Sequence, residues 1–204
     1  MAAARGVTGE VARPLRADAR RNRDAILEAA RKAFEAEGVL TSLDGIAARA
    51  GVGNATLYRH FSTREDLLAA VIETSIATAL AEADELTRTF APREALTEWL
   101  TRLTWQLRSW HDLPSCLVSV RDHASPVQSA CHPLLSRTAV FLDRARASGD
   151  VVGAVTAAEV FELVLALSWG LDRFGNDEVS ARRRVALATA GVFAPAAPLP
   201  GPSA

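Results

Sequence analysis

The chain has 204 residues, 49% of them hydrophobic, and 23 basic against 24 acidic side chains leave a net charge of −1. This is the composition of a globular protein of one or two domains; no run approaches the ~18 consecutive apolar residues of a membrane span, and residues 1–12 have no apolar signal-peptide core. Two cysteines, Cys116 and Cys131, do not make a disulfide framework, so a reducing, cytoplasmic setting is expected.

The near-neutral total hides an asymmetry. Residues 1–64 carry 11 basic and 7 acidic side chains, net +4, and residues 65–204 carry 12 and 17, net −5. A basic small end and an acidic large end suit a chain whose front alone meets a polyanion. Lys32 is the only lysine among many arginines, and alanine is abundant, as in a GC-rich bacterial genome.

Residues 1–19 are small, polar and arginine-studded, and are expected to form a disordered basic arm. Arg13, Arg16, Arg20 and Arg21 there are candidates for phosphate or minor-groove contacts. The spacing of Ile26, Leu27, Ala30 and Phe34 predicts a helix from Arg21 to Glu37, ended by Gly38. Val39 and Leu40 are expected to anchor the following loop in the core.

Thr41 to Phe61, TSLDGIAARAGVGNATLYRHF, reads as two short helices around a glycine turn. Thr41 or Ser42 can cap the first, whose stripe is Leu43, Ile46, Ala47 and Ala50. Gly51 stops it, because only glycine enters the left-handed region cheaply. Gly53 or Asn54 opens the second, with Leu57 and Phe61 inward. Asn54, Ala55, Thr56, Tyr58, Arg59 and His60 are left facing outward, a polar surface suited to a DNA major groove.

Ser62 or Thr63 caps the next helix, with Asp66 as the partner of a capping box. Leu67, Leu68, Val71, Ile72, Ile76, Leu80 and Leu86 carry its period to about Thr89, making a lever out of the DNA-binding unit. A helix from Ala95 to Asp112, a short one from Ser115 to His123 and a long one from Pro126 to Ala147 follow. Ala157 to Phe174 is apolar on more than one face, which implies burial on two sides, the second against another subunit. A last helix spans Asp177 to Phe193, with Val185, Leu187, Ala188 and Val192 inward, before a proline-rich tail expected to be disordered. The fold class is all-α, with about nine helices.

Residues 21–72 resemble the TetR family of bacterial transcriptional regulators, through ILEAARKAFEAEG, TSLDGIAARAGVGNATLYRHF and STREDLLAAVIE. The resemblance implies a helix-turn-helix domain at residues 20–68 and a helical ligand-binding and dimerisation domain at 69–193. Position by position, it implies phosphate contacts from Tyr58, His60 and Arg64, backbone contacts near Thr41 and Ser42, and base contacts from Gly53, Asn54, Ala55, Thr56 and Arg59. Two departures stand out. Gly45 replaces a frequent acidic residue that would complete a capping box with Ser42, and Gly53 replaces a frequent Ser or Thr.

The implied partners are an inverted-repeat DNA operator, a second copy of the chain and a small apolar or aromatic effector, with no membrane. The implied dimer face is Phe161, Val164, Leu167, Trp169, Leu171, Val185 and Ala188. The candidate ligand chamber is Trp99, Leu103, Gln106, Trp110, Cys131, Leu135, Phe141, Phe161 and Trp169, with Trp105 off the main stripe. Arg121, His111, His123 and His132 are candidates for its polar end. No phosphate loop or nucleophile elbow occurs, so an enzyme is not expected, and no cofactor or metal either. The competing readings are a metal- or thiol-responsive sensor using His111, Cys116, His123, Cys131 and His132, whose spacing matches no zinc signature, and a ligand-free DNA-binding protein.

Overall fold

The computed structural model describes residues 12–108, 125–152, 154–175 and 177–193. The expected short helix at Ser115–His123, the residues Trp110, His111, Cys116 and Arg121, and both chain ends lie outside these. Among the described residues there are eight α-helices and no named strand. The architecture is all-α with an N-terminal helix-turn-helix, as the sequence implies.

α1 spans Ala12–Glu37, so residues 12–19 are helical where a disordered arm was expected. Alanine and arginine are good helix formers, and Pro14 falls in the first turn, where a missing N–H is an orphan in any case. Ile26, Ala30 and Phe34 are buried, and Gly38 ends the helix at φ 88°. Val39 enters the core but Leu40 is 67% exposed. The two occupy one tight turn, so the backbone that points Val39 inward turns Leu40 to solvent.

α2 (Leu43–Arg49) and α3 (Asn54–His60) follow. Ile46, Ala47, Leu57 and Phe61 close a small core with α1 and with Leu67 and Leu68 of α4 (Arg64–Thr89). The expected capping box starts α4: Thr63 Oγ1 accepts from the Asp66 N–H at 3.0 Å and Asp66 accepts from the Thr63 N–H at 3.0 Å. At 1.5 Å per residue α4 is about 40 Å long. Val71, Ile72, Ile76, Ala79, Ala83 and Leu86 on its remaining turns are buried against the C-terminal helices.

α5 (Pro92–Arg108) begins three positions before the expected Ala95, with proline at the first helical position, where it is tolerated. It is the central element, packed on α4, α6 (Pro126–Ala147), α7 (Ala157–Phe174) and α8 (Glu178–Ala188). Its buried hydroxyls are satisfied within the helix, Thr101 donating to the Thr97 carbonyl at 2.8 Å and Thr104 to the Leu100 carbonyl at 2.7 Å. α7 has the expected bounds, with a Thr156–Glu159 capping box at one end and Gly175 at φ 61° at the other. α8 stops at Ala188, short of the expected Phe193, and a 3-10 turn at Ala190–Val192 follows. Val185 and Val192 face inward as expected, but Leu187 is 69% exposed and Ala188 is also exposed. The helix buries Ala181 and Val185, four positions apart, and Leu187 lies on the far side of that stripe.

Polar contacts tie the helices at the surface. Glu98 of α5 accepts from Arg182 of α8 at 2.6 Å and from Arg102 at 3.0 Å, and these guanidiniums hold its carboxyl below the usual range. Arg137 of α6 pairs with Asp84 of α4. Among the described residues no helix is long and apolar enough to cross a membrane.

Candidate DNA-binding site and C-terminal core

α2 and α3 are seven residues each, too short to hold their shape alone. Their order comes from the core beneath and from a small polar lattice. Ser42 is the N-cap of α2, its side chain accepting from the Gly45 N–H at 3.5 Å. Thr41 does not cap; its hydroxyl donates to Glu37 at 2.7 Å. Glu37 also pairs with Arg49, and the Thr41 hydroxyl, then Arg49, keeps its carboxyl below the usual range. One carboxylate at the end of α1 thus fastens both the start and the end of α2.

Gly51 makes the turn at φ 68°. Gly53, not Asn54, is the N-cap of α3, and it offers no side-chain bond. Asn54 Nδ2 instead donates to Asp44 of α2 at 2.8 Å, a bond that fixes the angle between the two helices. Gly53, Asn54, Ala55, Tyr58 and Arg59 are exposed, with Thr56 and His60 half-buried beside them. Leu57 is 1% exposed beneath that face. Arg59 reaches back to Thr56 Oγ1 at 3.5 Å, a contact weak enough to exchange for a base.

Arg64 has a role in the fold besides the expected phosphate contact. Its guanidinium donates to the carbonyls of Val39, at 3.1 Å, and Thr41, at 2.5 Å, bracing the loop between α1 and α2. This role and those of Asp44 and Glu37 were not visible as sequence signals, because each partner lies 10 to 25 positions away.

The weak cap of α2 is correctable. A Cβ on Gly45 would meet Ser42 Cβ at 3.8 Å, an ordinary contact. Gly45→Glu restores the capping-box partner and removes a helical glycine, together worth about 1 kcal/mol. Thermal unfolding should shift upward by about 2–4 °C for a domain of this size. An unchanged or lower midpoint would show that the Ser42 cap is not limiting.

The C-terminal candidates do not form one aromatic chamber. Trp99 and Phe141 stack at 5.4 Å, and Trp99 Nε1 donates to Thr138 Oγ1 at 3.0 Å. With Phe161 they are core. Trp169 is 45% exposed, on the outer surface. Trp105 is half-buried with Arg108 stacked 3.5 Å from its centre. Leu135 is half-buried. Cys131 is buried on α6, and burial pushes its thiol up to about 12, which leaves it inert as a thiolate. His132 is exposed beside Ser136, and the Trp110 position lies outside the described residues.

A cavity of about 20 Å³ lies where α4, α5 and α6 meet, lined by Ile72, Ser75, Ile76, Ala79, Leu103, Gln106, Leu107 and Leu134. Of the candidate ligand residues, Leu103 and Gln106 line it. Its volume suits about one water molecule. Gln106 Nε2 donates to the Ser75 carbonyl at 3.4 Å across it.

The expected dimer residues divide in two. Val164, Leu171 and Val185 are at most 1% exposed and Phe161 is 9% exposed, so all four serve the protomer's own core. Leu167 is half-buried, while Trp169 and Ala188 are exposed. Phe174, 72% exposed, and Leu187, 69% exposed, join Trp169 as large apolar side chains on α7 and α8.

Comparison with known proteins agrees with this architecture. A family model described as "Bacterial regulatory proteins, tetR family" matches residues 26–71. A second, described as "Transcriptional regulator SbtR-like, C-terminal domain", matches residues 91–194. An HTH-type transcriptional regulator of Staphylococcus aureus (strain USA300) is 47% identical over 60 residues, covering 29% of this chain and 32% of that protein. The chain thus aligns with about a third of the length of such curated relatives. Solved structures match over far more. A TetR transcription regulatory protein from Mycobacterium vanbaalenii is 31% identical with a TM-score of 0.55, covering 89% of this chain and 100% of that one. A TetR transcriptional regulator from Streptomyces coelicolor is 29% identical with a TM-score of 0.56, covering 86% and 99%. From the helix-turn-helix through to the last helix, the chain belongs to the TetR family of bacterial transcriptional regulators.

Proposed function

We propose that this regulator is a cytoplasmic homodimeric repressor that reads an inverted-repeat operator and leaves it when a small apolar effector binds. The observation that carries the reading is the outer face of α3, where Asn54, Ala55, Tyr58 and Arg59 are exposed above buried Leu57 and Phe61. Arg59 reads a base edge, guanine being the base that presents two acceptors to a guanidinium. Asn54 is held by Asp44 and positions the helix. Ala55 and the Thr56 methyl pack on thymine, and Tyr58 and His60 meet phosphates. Residues 20–68 form the DNA-binding unit and 69–193 the effector and dimerisation unit.

Release follows from α4. The same helix carries Leu67 and Leu68 into the DNA-binding core and Ile72, Ile76 and Ala79 to the cavity. With room for about one water, that cavity admits an effector only if α4, α5 and α6 part. The bound state then favours a different tilt of α4, and two recognition helices no longer match the half-site spacing. The apolar walls favour an apolar effector, and the Gln106 amide is its polar contact.

Selection from a random duplex library with the full-length protein tests the DNA reading. The recovered sequences are expected to converge on one inverted repeat, protected from nuclease as a single footprint. Recovery of unrelated sequences, with uniform protection along the DNA, would overturn it in favour of a non-specific DNA-binding protein.

A further inference from the structure

The first residue of α3 is held in a way that limits what it can offer to a base. Asn54 is exposed, and its Nδ2 donates to Asp44 Oδ1 of α2 at 2.8 Å. An ionised carboxylate only accepts hydrogen bonds, so the chemistry settles which end of the amide faces it. The nitrogen faces Asp44 and Oδ1 faces away. An exposed asparagine left to itself turns over freely, because its last torsion has two broad and similar wells. Beside Asp44, turning over would set two oxygens face to face.

The surroundings let this bond act on the amide. Gly53 is the N-cap of α3, so the Asn54 side chain is not spent on capping. Ile46 of α2 and Leu57 of α3 are buried in the shared core, which holds both ends of the Asp44–Asn54 link. Arg59 lies five residues further on, about 7.5 Å along the axis. The outer face of α3 therefore carries an acceptor near its start, and near its end a guanidinium that only donates.

The N-terminal residues of a recognition helix are the ones that reach base edges. In the major groove adenine and cytosine present amino donors, and guanine and thymine present carbonyl acceptors at the corresponding place. A pinned Oδ1 accepts from the adenine N6 or the cytosine N4 amino group. Adenine fits further, because Nδ2 has a second hydrogen for N7. Guanine O6 and thymine O4 would each meet an oxygen, with the Asp44 carboxylate close behind it.

We propose that Asp44 is a specificity-determining positioning residue: it fixes the Asn54 amide with its oxygen outward, so that the regulator selects adenine, then cytosine, and rejects guanine and thymine at one position of each half-site. This rests on α3 being the recognition helix. Asp44 itself touches no base; it acts through Asn54.

The test is selection from a random duplex library by the full-length protein, followed by titration of defined operators. Asn54→Ala marks the base pair concerned, as the one position whose preference vanishes. The expected base there is adenine, and changing it to guanine in both half-sites should weaken wild-type binding about thirtyfold or more. In Asp44→Ala the amide can turn over and donate to guanine O6, so the same change should cost only a few-fold, with preferences at the other positions intact. The exchange D44N/N54D is the rescue. Its amide donates across the same gap and its carboxylate presents only an acceptor outward, so the penalty against guanine should return, whatever happens to overall affinity. A wild-type preference for guanine or thymine at the marked position would overturn the proposal. So would a penalty unchanged in Asp44→Ala, or preferences lost equally at every position, which would make the bond a brace between helices and nothing more. An Asn54→Ala variant with every preference intact would overturn it too. Failure of the α3 reading is distinguishable, because then no inverted repeat is selected at all.

Discussion

Trp169→Arg is expected to yield a folded monomer that no longer retains operator DNA. Trp169 is 45% exposed on α7, and Phe174 on the same helix and Leu187 on α8 are 72% and 69% exposed. Several large apolar side chains left exposed on two helices that touch are the kind of surface that meets a partner. A two-fold contact uses the same tryptophan twice, so one substitution inserts two charges. If Trp169 anchors the proposed dimer, its loss costs about 2 kcal/mol or more at each occurrence, and the pair about 4 kcal/mol, roughly a thousandfold. The protomer should survive, because its core residues Val164, Leu171 and Val185 are untouched. Sedimentation at micromolar concentration should show the monomer mass with an unchanged helical spectrum. A variant that still sediments as a dimer would remove α7 from the interface.

Arg59→Ala should strip specificity while leaving non-specific binding nearly intact. A bidentate arginine contact discriminates its base by about 1–3 kcal/mol, and a dimer makes it twice. Binding to the selected operator should fall between about thirtyfold and about twenty-thousandfold, and the preference for that operator over an unrelated duplex should shrink with it. The salt slope should hardly move, since a base contact releases few counterions. The folded state should be unaffected: Arg59 is exposed, and its side chain makes a 3.5 Å contact with Thr56. An alanine variant that keeps full preference for the operator would shift base reading to Asn54, Ala55 and Thr56.

Much of this site is legible in one dimension because its determinants are local. The Gly51 turn depends on one residue's freedom at positive φ. The Thr63–Asp66 box spans three residues, and so does the Thr156–Glu159 box. The burial of Leu57 and Phe61 under an outward polar face follows from helical period. Local rules also explain the misreadings. Low hydrophobicity made residues 12–19 read as disordered, although alanine and arginine propensity carry α1 back to Ala12. Leu40 and Leu187 were placed inward by composition, but the fold could bury only one side of the turn and one side of α8.

The C-terminal half shows where one-dimensional reading stops. An apolar residue at helical spacing says that it is buried, not what it is buried against. Trp99, Phe141 and Phe161 have the periodicity expected of a chamber wall, and the packed helices use them as core. Val164, Leu171 and Val185 have the periodicity expected of an interface, and they too are core. Arg64 is also a brace for the carbonyls of Val39 and Thr41, a role that no neighbouring residue signals.

The sequence by itself determined the family, the all-α class, the helix-turn-helix and the face of α3 turned outward, because caps, turns and period are properties of neighbouring residues. Only the tertiary structure decided which arginines are already engaged, where the small cavity lies between α4, α5 and α6, and which apolar side chains remain on the surface of α7 and α8. Those depend on how distant helices share one core, and a position's partner across that core leaves no mark in its neighbours along the chain.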